Sequence, residues 1–300
     1  MEKKRKQFFK GWYIKVQSGK TELALIPGIC MTAKGQGKAF IQVFYDNKTY
    51  FIRYPLNQVW MQPNGFGMRI GENIFTKDGM KIRIRSDKLK LSGHFTFYDF
   101  RKPAYPIMGP LTLLAKQMEC SHQIVSMAHR VEGILKVDGK KQTVKDGIGY
   151  IEGDSGCRFP REYMWIHTFE HPTYGIFGRN RSITAAIADI PVGRMSFRGC
   201  FALISNGKKE IRLASYKGAR VLYRDEKGFA IAQGKYLFSG RISDSGQGTR
   251  TLMAPDTKGM GRKIRENLSG KVELELFIHG RRVLSSVYPQ ASYELEMRES

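Results

Sequence analysis

The chain has 300 residues, 41% of them hydrophobic, with a formal net charge of +23 and a pI near 9.9. That hydrophobic fraction excludes wholesale disorder, the length calls for more than one small core, and no run of about 18 apolar residues marks a membrane span. Four widely spaced cysteines, Cys30, Cys120, Cys157 and Cys200, form neither a Cys-x-x-Cys pair nor a zinc-type ligand pattern, which predicts a reduced, cytoplasmic chain with no disulfide framework and no metal.

The N-terminus is basic at Lys3–Lys6 but has no apolar signal core, so no secretory leader is expected. From there, alternation of apolar and polar residues dominates. Ala39–Tyr45 and Thr49–Tyr54, joined by Asp46-Asn47-Lys48, read as a hairpin. Lys81–Lys90 alternates apolar with basic residues and reads as a strand with one solvated cationic face. Further strands are predicted over Leu89–Phe97, Ile124–Val137, Arg198–Ser205 with Glu210–Tyr216, Phe229–Phe238, and Lys271–Ile278 with Arg281–Tyr288. Short helices are expected only at Leu111–Met118 and Gly261–Leu268. Many short strands with glycine at their junctions describe an all-β antiparallel barrel or sandwich.

The pattern occurs twice. Gly11–Val16, an apolar strand ending in Ile26-Pro27 and the hairpin 40–54 are followed, later, by Tyr163–His167, an apolar strand ending in Ile190-Pro191 and the hairpin 197–216. Two copies of one β-unit are therefore expected, residues 1–157 and 158–300, with the join near Cys157–Arg161.

Acidic and imidazole groups concentrate between Glu119 and His171. In the strand from Ile124, His129 shares a face with Val125, Met127, Val131 and Leu135, so it is either a hydrogen-bonded core residue or a pocket group. Tyr150, Glu152 and Asp154 share a face of the next strand. Two neighbouring carboxylates, once desolvated, favour retention of a proton and make a general acid; solvated, or paired with Arg158 and Arg161, they are structural. Tyr163, Trp165, His167, Phe169 and His171 alternate on one face, where aromatic rings line either a ligand pocket or a core. There is no nucleophile elbow and no Walker loop. The Gly-x-Gly sequences never stand between a strand and a clear helix, so no nucleotide or other cofactor is predicted. The positive charge is spread along the chain. It suits a solvated surface or peripheral contact with an anionic membrane surface, while nucleic-acid binding has no motif behind it.

In their order, Gly11–Lys15, Ile26-Pro27-Gly28, Phe40–Val43, Ile70–Phe75, Ile107–Pro110, Met118–His129, Gly149–Gly156, Phe159–Trp165, Ala214–Ala219 and Leu252–Pro255 resemble the tocopherol cyclase-like family over nearly the whole chain. The resemblance implies two lipocalin-like β-domains, as in the related carotenoid hydratases, and a hydrophobic isoprenoid or prenylated small molecule as ligand. It implies proton addition to a prenyl double bond and capture of the tertiary cation by a phenol oxygen. On this reading Asp154 is the acid, Glu152 or Glu119 assists, and His122 or His129 positions or relays the proton. Tyr150, Tyr163, Trp165, His167 and Trp12 contact the ligand. Ser155 stands where the plant-type pattern has Trp, and His167-Thr168 where the family usually shows Gln and Asn. The alternative is a carrier or sensor that binds such a molecule without chemistry.

Overall fold

The computed structural model describes residues 7–19, 21–114, 118–170, 181–192, 195–206, 208–243, 248–256 and 259–297. Its regular structure is almost entirely β. The first eleven strands are β1 (Phe8–Ser18), β2 (Thr21–Met31), β3 (Gly37–Tyr45), β4 (Lys48–Tyr54), β5 (Val59–Met61), β6 (Met68–Ile70), β7 (Asn73–Phe75), β8 (Gly79–Ser86), β9 (Leu89–Arg101), β10 (Cys120–Val137) and β11 (Lys140–Gly156). The rest are β12 (Tyr163–Phe169), β13 (Ser182–Val192), β14 (Met195–Ser205), β15 (Glu210–Ala214), β16 (Arg220–Asp225), β17 (Gly228–Gln233), β18 (Tyr236–Ile242), β19 (Thr249–Asp256), β20 (Gly259–Ile278) and β21 (Arg281–Glu296).

They make two curled antiparallel sheets with one topology. The first runs β4-β3-β2-β1-β11-β10-β9-β8-β7-β6-β5 and the second β15-β14-β13-β12-β21-β20-β18-β17-β16, with β19 paired to β20. In each, strands follow one another around the sheet, the opening strand pairs with the closing one, and the seam falls between the fourth strand and the fifth. The doubled sequence pattern is thus a doubled topology. The chain separates into two compact units: residues 1–106, 120–159 and 252–263 form the first, and residues 107–119, 160–251 and 264–300 the second.

Turn chemistry fixes the hairpins. Asp46 and Asn47 both adopt positive φ (49° and 54°), the two-residue type I′ geometry that matches strand twist, and they join β3 to β4. Asp138-Gly139 (φ 46° and 90°) does the same between β10 and β11, and His279-Gly280 (φ 51° and 73°) between β20 and β21. The Asp138 carboxylate also accepts from the Lys90 backbone N–H at 3.0 Å, tying that turn to β9.

The helix expected at Gly261–Leu268 does not form. Those residues open the long strand β20, where Ile264, Glu266 and Leu268 are buried at period two. At Leu111–Met118 the described part is a 3₁₀ turn, Gly109–Leu114.

Each sheet has one apolar face that forms a core. In the first unit Trp12, Ile14, Val16, Leu25, Ile41, Val43, Phe66, Phe75, Phe95 and Ile151 pack together, each at most 2% exposed. In the second, Met164, Ile166, Ile183, Ile187, Phe229, Phe238 and Leu274 do so. The opposite face is exposed in β8, at Lys81, Arg83 and Arg85, but not along the opening strands. All seven residues of β12 are buried, as is every residue from Trp12 to Gln17 in β1.

Candidate functional site

The second buried face of the first sheet is polar. Register places Tyr13 opposite Glu152, Lys15 opposite Tyr150 and Gly11 opposite Asp154, with His122 of β10 across from Asp154 on the far side. Directly opposed residues of an antiparallel pair project to the same side, so Tyr13, Lys15, Tyr150, Glu152, Asp154 and His122 share this face. Gln42 joins it from β3. Its side-chain amide donates to the Met253 carbonyl at 2.8 Å and accepts from the Met253 N–H at 2.7 Å, fixing the 252–263 segment to the sheet. An apolar margin completes the face, with Phe9, Cys30 and Phe40 against Phe51, Phe159 and Met260.

His122 is the centre of the cluster. Its Nδ1 lies 3.0 Å from Asp154 Oδ1 and its Nε2 3.4 Å from Glu152 Oε2, so the carboxylates bracket opposite edges of one ring. Glu152 Oε2 also accepts from the Tyr150 hydroxyl at 2.5 Å, and the Cys120 thiol stands 3.5 Å from Asp154 Oδ1. Four groups able to carry a proton are therefore strung in order: Asp154, His122, Glu152 and Tyr150. Burial opposes the imidazolium, but the charges of Asp154 and Glu152 and the hydrogen bond to Asp154 outweigh it, raising the His122 pKa to about 9. The ring is a cation at neutral pH. Asp154, with its side chain 23% exposed against 7% for Glu152, is the more accessible carboxylate.

One nitrogen of His122 and one oxygen from each acid lie within 4.8 Å of one another, a grouping that could hold a cation. With the two acids against opposite edges of the ring, its geometry suits a shared proton better than a single metal ion.

The other expected residues fall elsewhere. His129 is on the apolar side of the same strand, stacked on Phe100 (centroids 4.7 Å, 12°) and close to Phe97, with Nδ1 3.1 Å from the Ser126 hydroxyl. Burial depresses its pKa to about 3 and keeps the ring neutral. Its Nε2 faces Gly149, where a β-carbon would come within 2.2 Å. Trp12 also faces the apolar core, edge-on to Phe66 at 5.1 Å and seated over Gly153, away from Glu152 and Asp154. Glu119 ends the 107–119 segment that packs with the second unit.

Tyr163, Trp165 and His167 do share a face, that of β12 opposite the second core. The Tyr163 hydroxyl donates to Glu294 at 2.6 Å, Trp165 stacks on His167 at 6.2 Å, and His167 meets Phe169 edge-on at 4.5 Å and the Ser182 hydroxyl at 3.4 Å. His171 lies outside the described residues.

Lys15 escaped the sequence reading. It is fully buried beside Tyr150 in cross-strand register. The signal that could have found it is the tyrosine, lysine and glutamine crowded on the side of β1 that faces the Glu-x-Asp strand.

No protein-family model matches the chain, and no curated protein does. Solved structures do. An AttH-like protein from Nitrosomonas europaea matches with a TM-score of 0.53 at 11% identity, over 97% of this chain and 92% of that one. Kievitone hydratase from Nectria haematococca matches with a TM-score of 0.51 at 11% identity, over 97% and 89%. CghA, in a structure with Sch210972, matches with a TM-score of 0.57 at 8% identity, over 97% and 89%. At these identities the likeness is one of fold: the lipocalin-like all-β architecture of such proteins.

Proposed function

We propose that this chain is an acid–base enzyme that adds a proton to a double bond of a hydrophobic, prenyl-bearing small molecule, giving a cyclised, hydrated or isomerised product. The observation that carries the reading is His122, clamped between Asp154 and Glu152 on a buried polar sheet face and charged at neutral pH. The fold shared with a kievitone hydratase supports it, as does the sequence resemblance to tocopherol cyclase-like proteins.

In this reading the proton leaves the Asp154–His122 pair, by way of the more accessible Asp154, and adds to the less substituted alkene carbon. The π electrons form the new C–H bond, and the tertiary carbon is left cationic. A phenol oxygen of the same molecule, or a water, closes the C–O bond and returns its proton to the pair. Cyclisation leaves the mass unchanged, hydration adds one water, and nothing is oxidised.

An imidazolium with a pKa of about 9 is a weak acid for an alkene, so the field must supply the difference. With His122 protonated, the two carboxylates leave the trio a net negative charge, and losing the proton deepens it as the cation appears. Fixed charge of the right sign in a poorly hydrated site is the strongest general means of stabilising such a transition state. Tyr150 restrains Glu152.

Mass spectrometry of a lipid extract incubated with wild-type protein and with Asp154→Asn tests the reading. The expected result is a lipid consumed by wild type alone, with a product of equal mass or one water heavier. Co-purification of one unconverted lipid with both proteins would instead make the chain a carrier.

A further inference from the structure

The second unit has a groove that the proton-transfer reading leaves unused. It lies beside the seam of the second sheet, where β14 and β16 approach without pairing, and this open groove has a volume of about 610 Å³. Ser196, Phe197 and Arg198 line it from β14, Asp189 from β13, Ser215 and Ala219 from the turn after β15, and Arg220 and Val221 from β16. The volume falls within the roughly 300–1,000 Å³ of ordinary small-molecule sites.

The charges of the groove do not cancel. Asp189 is held by Arg198 through Nε at 3.0 Å and by Arg224 at 3.6 Å; Arg224 also reaches Glu162 at 3.0 Å. Along the lining itself, two guanidinium groups, Arg198 and Arg220, thus stand against one carboxylate, Asp189. Arg220 is exposed and its side chain has no ion pair among the described residues. Arg224, which pairs with Asp189 but does not line the groove, is buried, its side chain 2% exposed. Beside these cations the groove has an apolar wall: Phe197, itself 41% exposed, with Ala219 and Val221. An exposed ring next to unbalanced guanidinium groups fits a molecule with an anionic head and an apolar body.

We propose that this groove binds an amphipathic organic anion, its carboxylate or phosphate head held by Arg198 and Arg220 with the hydroxyl of Ser196 as a further donor, and its apolar body laid on Phe197, Ala219 and Val221. A charged planar fork meeting an oxyanion makes hydrogen bonds about twice as strong as neutral ones. The site is separate from the His122 cluster and binds whether or not that cluster is catalytic.

Fluorescence titration of the full chain with dansyl-undecanoic acid tests the proposal. Saturable binding is expected, displaced by dodecanoate or dodecyl phosphate but not by dodecanol, and not by inorganic phosphate at millimolar concentration. Arg220→Glu, an exposed substitution that leaves folding and lipid conversion unchanged, should weaken it roughly tenfold or more, as expected for loss of a charged hydrogen bond. Arg198→Gln should act in the same direction. Displacement by dodecanol as readily as by dodecanoate, or unaltered affinity in a folded Arg220→Glu chain, would overturn the proposal. Full displacement by inorganic phosphate would overturn the apolar half of it, since the groove would then read a small oxyanion alone.

Discussion

Two histidines on one strand, seven positions apart, meet opposite fates. His122 sits on the polar face of β10 between two carboxylates, with its pKa raised to about 9. His129 sits on the apolar face between phenylalanines, with its pKa lowered to about 3. Both are largely shielded from water, and burial alone disfavours the cation in each. The difference is the partner: two carboxylates in one case, a serine hydroxyl and two aromatic faces in the other. Desolvation without countercharge makes an inert filler, and desolvation with countercharge makes a proton store.

The largest expected effect separates the two rings by chemistry. Asp154→Asn removes the charge that holds the His122 proton, and conversion of the lipid should fall by about 10²–10⁴-fold, the usual worth of a positioned acid or base. In the same variant, NMR titration should find the His122 pKa moved down from about 9 toward its ordinary value while His129 stays neutral throughout. Unchanged His122 titration would break the comparison.

The next effect is on stability and has opposite signs for the two rings. The raised pKa of His122 contributes stability that is fully present below about pH 6.5 and is lost as pH rises through about 9. The depressed pKa of His129 works the other way: below about pH 6.5 the unfolded chain takes a proton that the fold refuses, so stability falls toward pH 3. Each contribution is on the order of a few kcal/mol. Urea midpoints should show the advantage of wild type over His122→Gln shrinking as pH rises past 9, and His129→Gln escaping part of the loss that wild type suffers between pH 6 and 4.

Smaller still are two glycine substitutions on β11. Gly149→Ala would drive a β-carbon to 2.2 Å from His129 Nε2, and Gly153→Ala to 2.2 Å from the Trp12 ring. Overpacking of this kind costs about 1–3 kcal/mol. Each substitution should lower the thermal midpoint, and Trp12→Ala should relieve the second but not the first. The smallest effect concerns the surface, since both the His122 cluster and the apolar core should be indifferent to salt. If the net charge of +23 docks the chain on anionic lipid, flotation with phosphatidylserine vesicles should recover it at low salt and lose it as salt screens the attraction.

Much of this was legible in the sequence. Alternation gave the β class, and parity alone placed Tyr150, Glu152 and Asp154 on one face. What alternation does not carry is register between strands. β10 contains irregularities between Ile124 and Ser126 and between Ser126 and His129, and these bring His122 into register with Asp154. Nor does alternation distinguish a wet polar face from a buried one: Lys15 and Glu266 are both fully buried. Trp12 was drawn toward the ligand because aromatic residues suit pockets. Its partner across the strand pair is Gly153, and a glycine opposite a tryptophan is a packing seat.

The closure of each sheet by its opening strand has a consequence for how the molecule is made. Phe9 pairs with Gly156, and Tyr163 pairs with Glu296, so both sheets are sealed by contacts between residues nearly a whole unit apart. The first unit also draws on residues 252–263. On the ribosome, β1 must therefore wait, with Trp12 and Ile14 uncovered, until β11 has been synthesised, and Gln42 waits longer for Met253. Chains dominated by such distant pairings fold slowly and leave sticky edges unpaired while they do. The pairing that puts Tyr13 and Lys15 beside Glu152 and Tyr150 is one of these late events, so the proton-carrying row is completed only when the first sheet is sealed, and an amino-terminal truncation through β1 should abolish solubility before it tests chemistry.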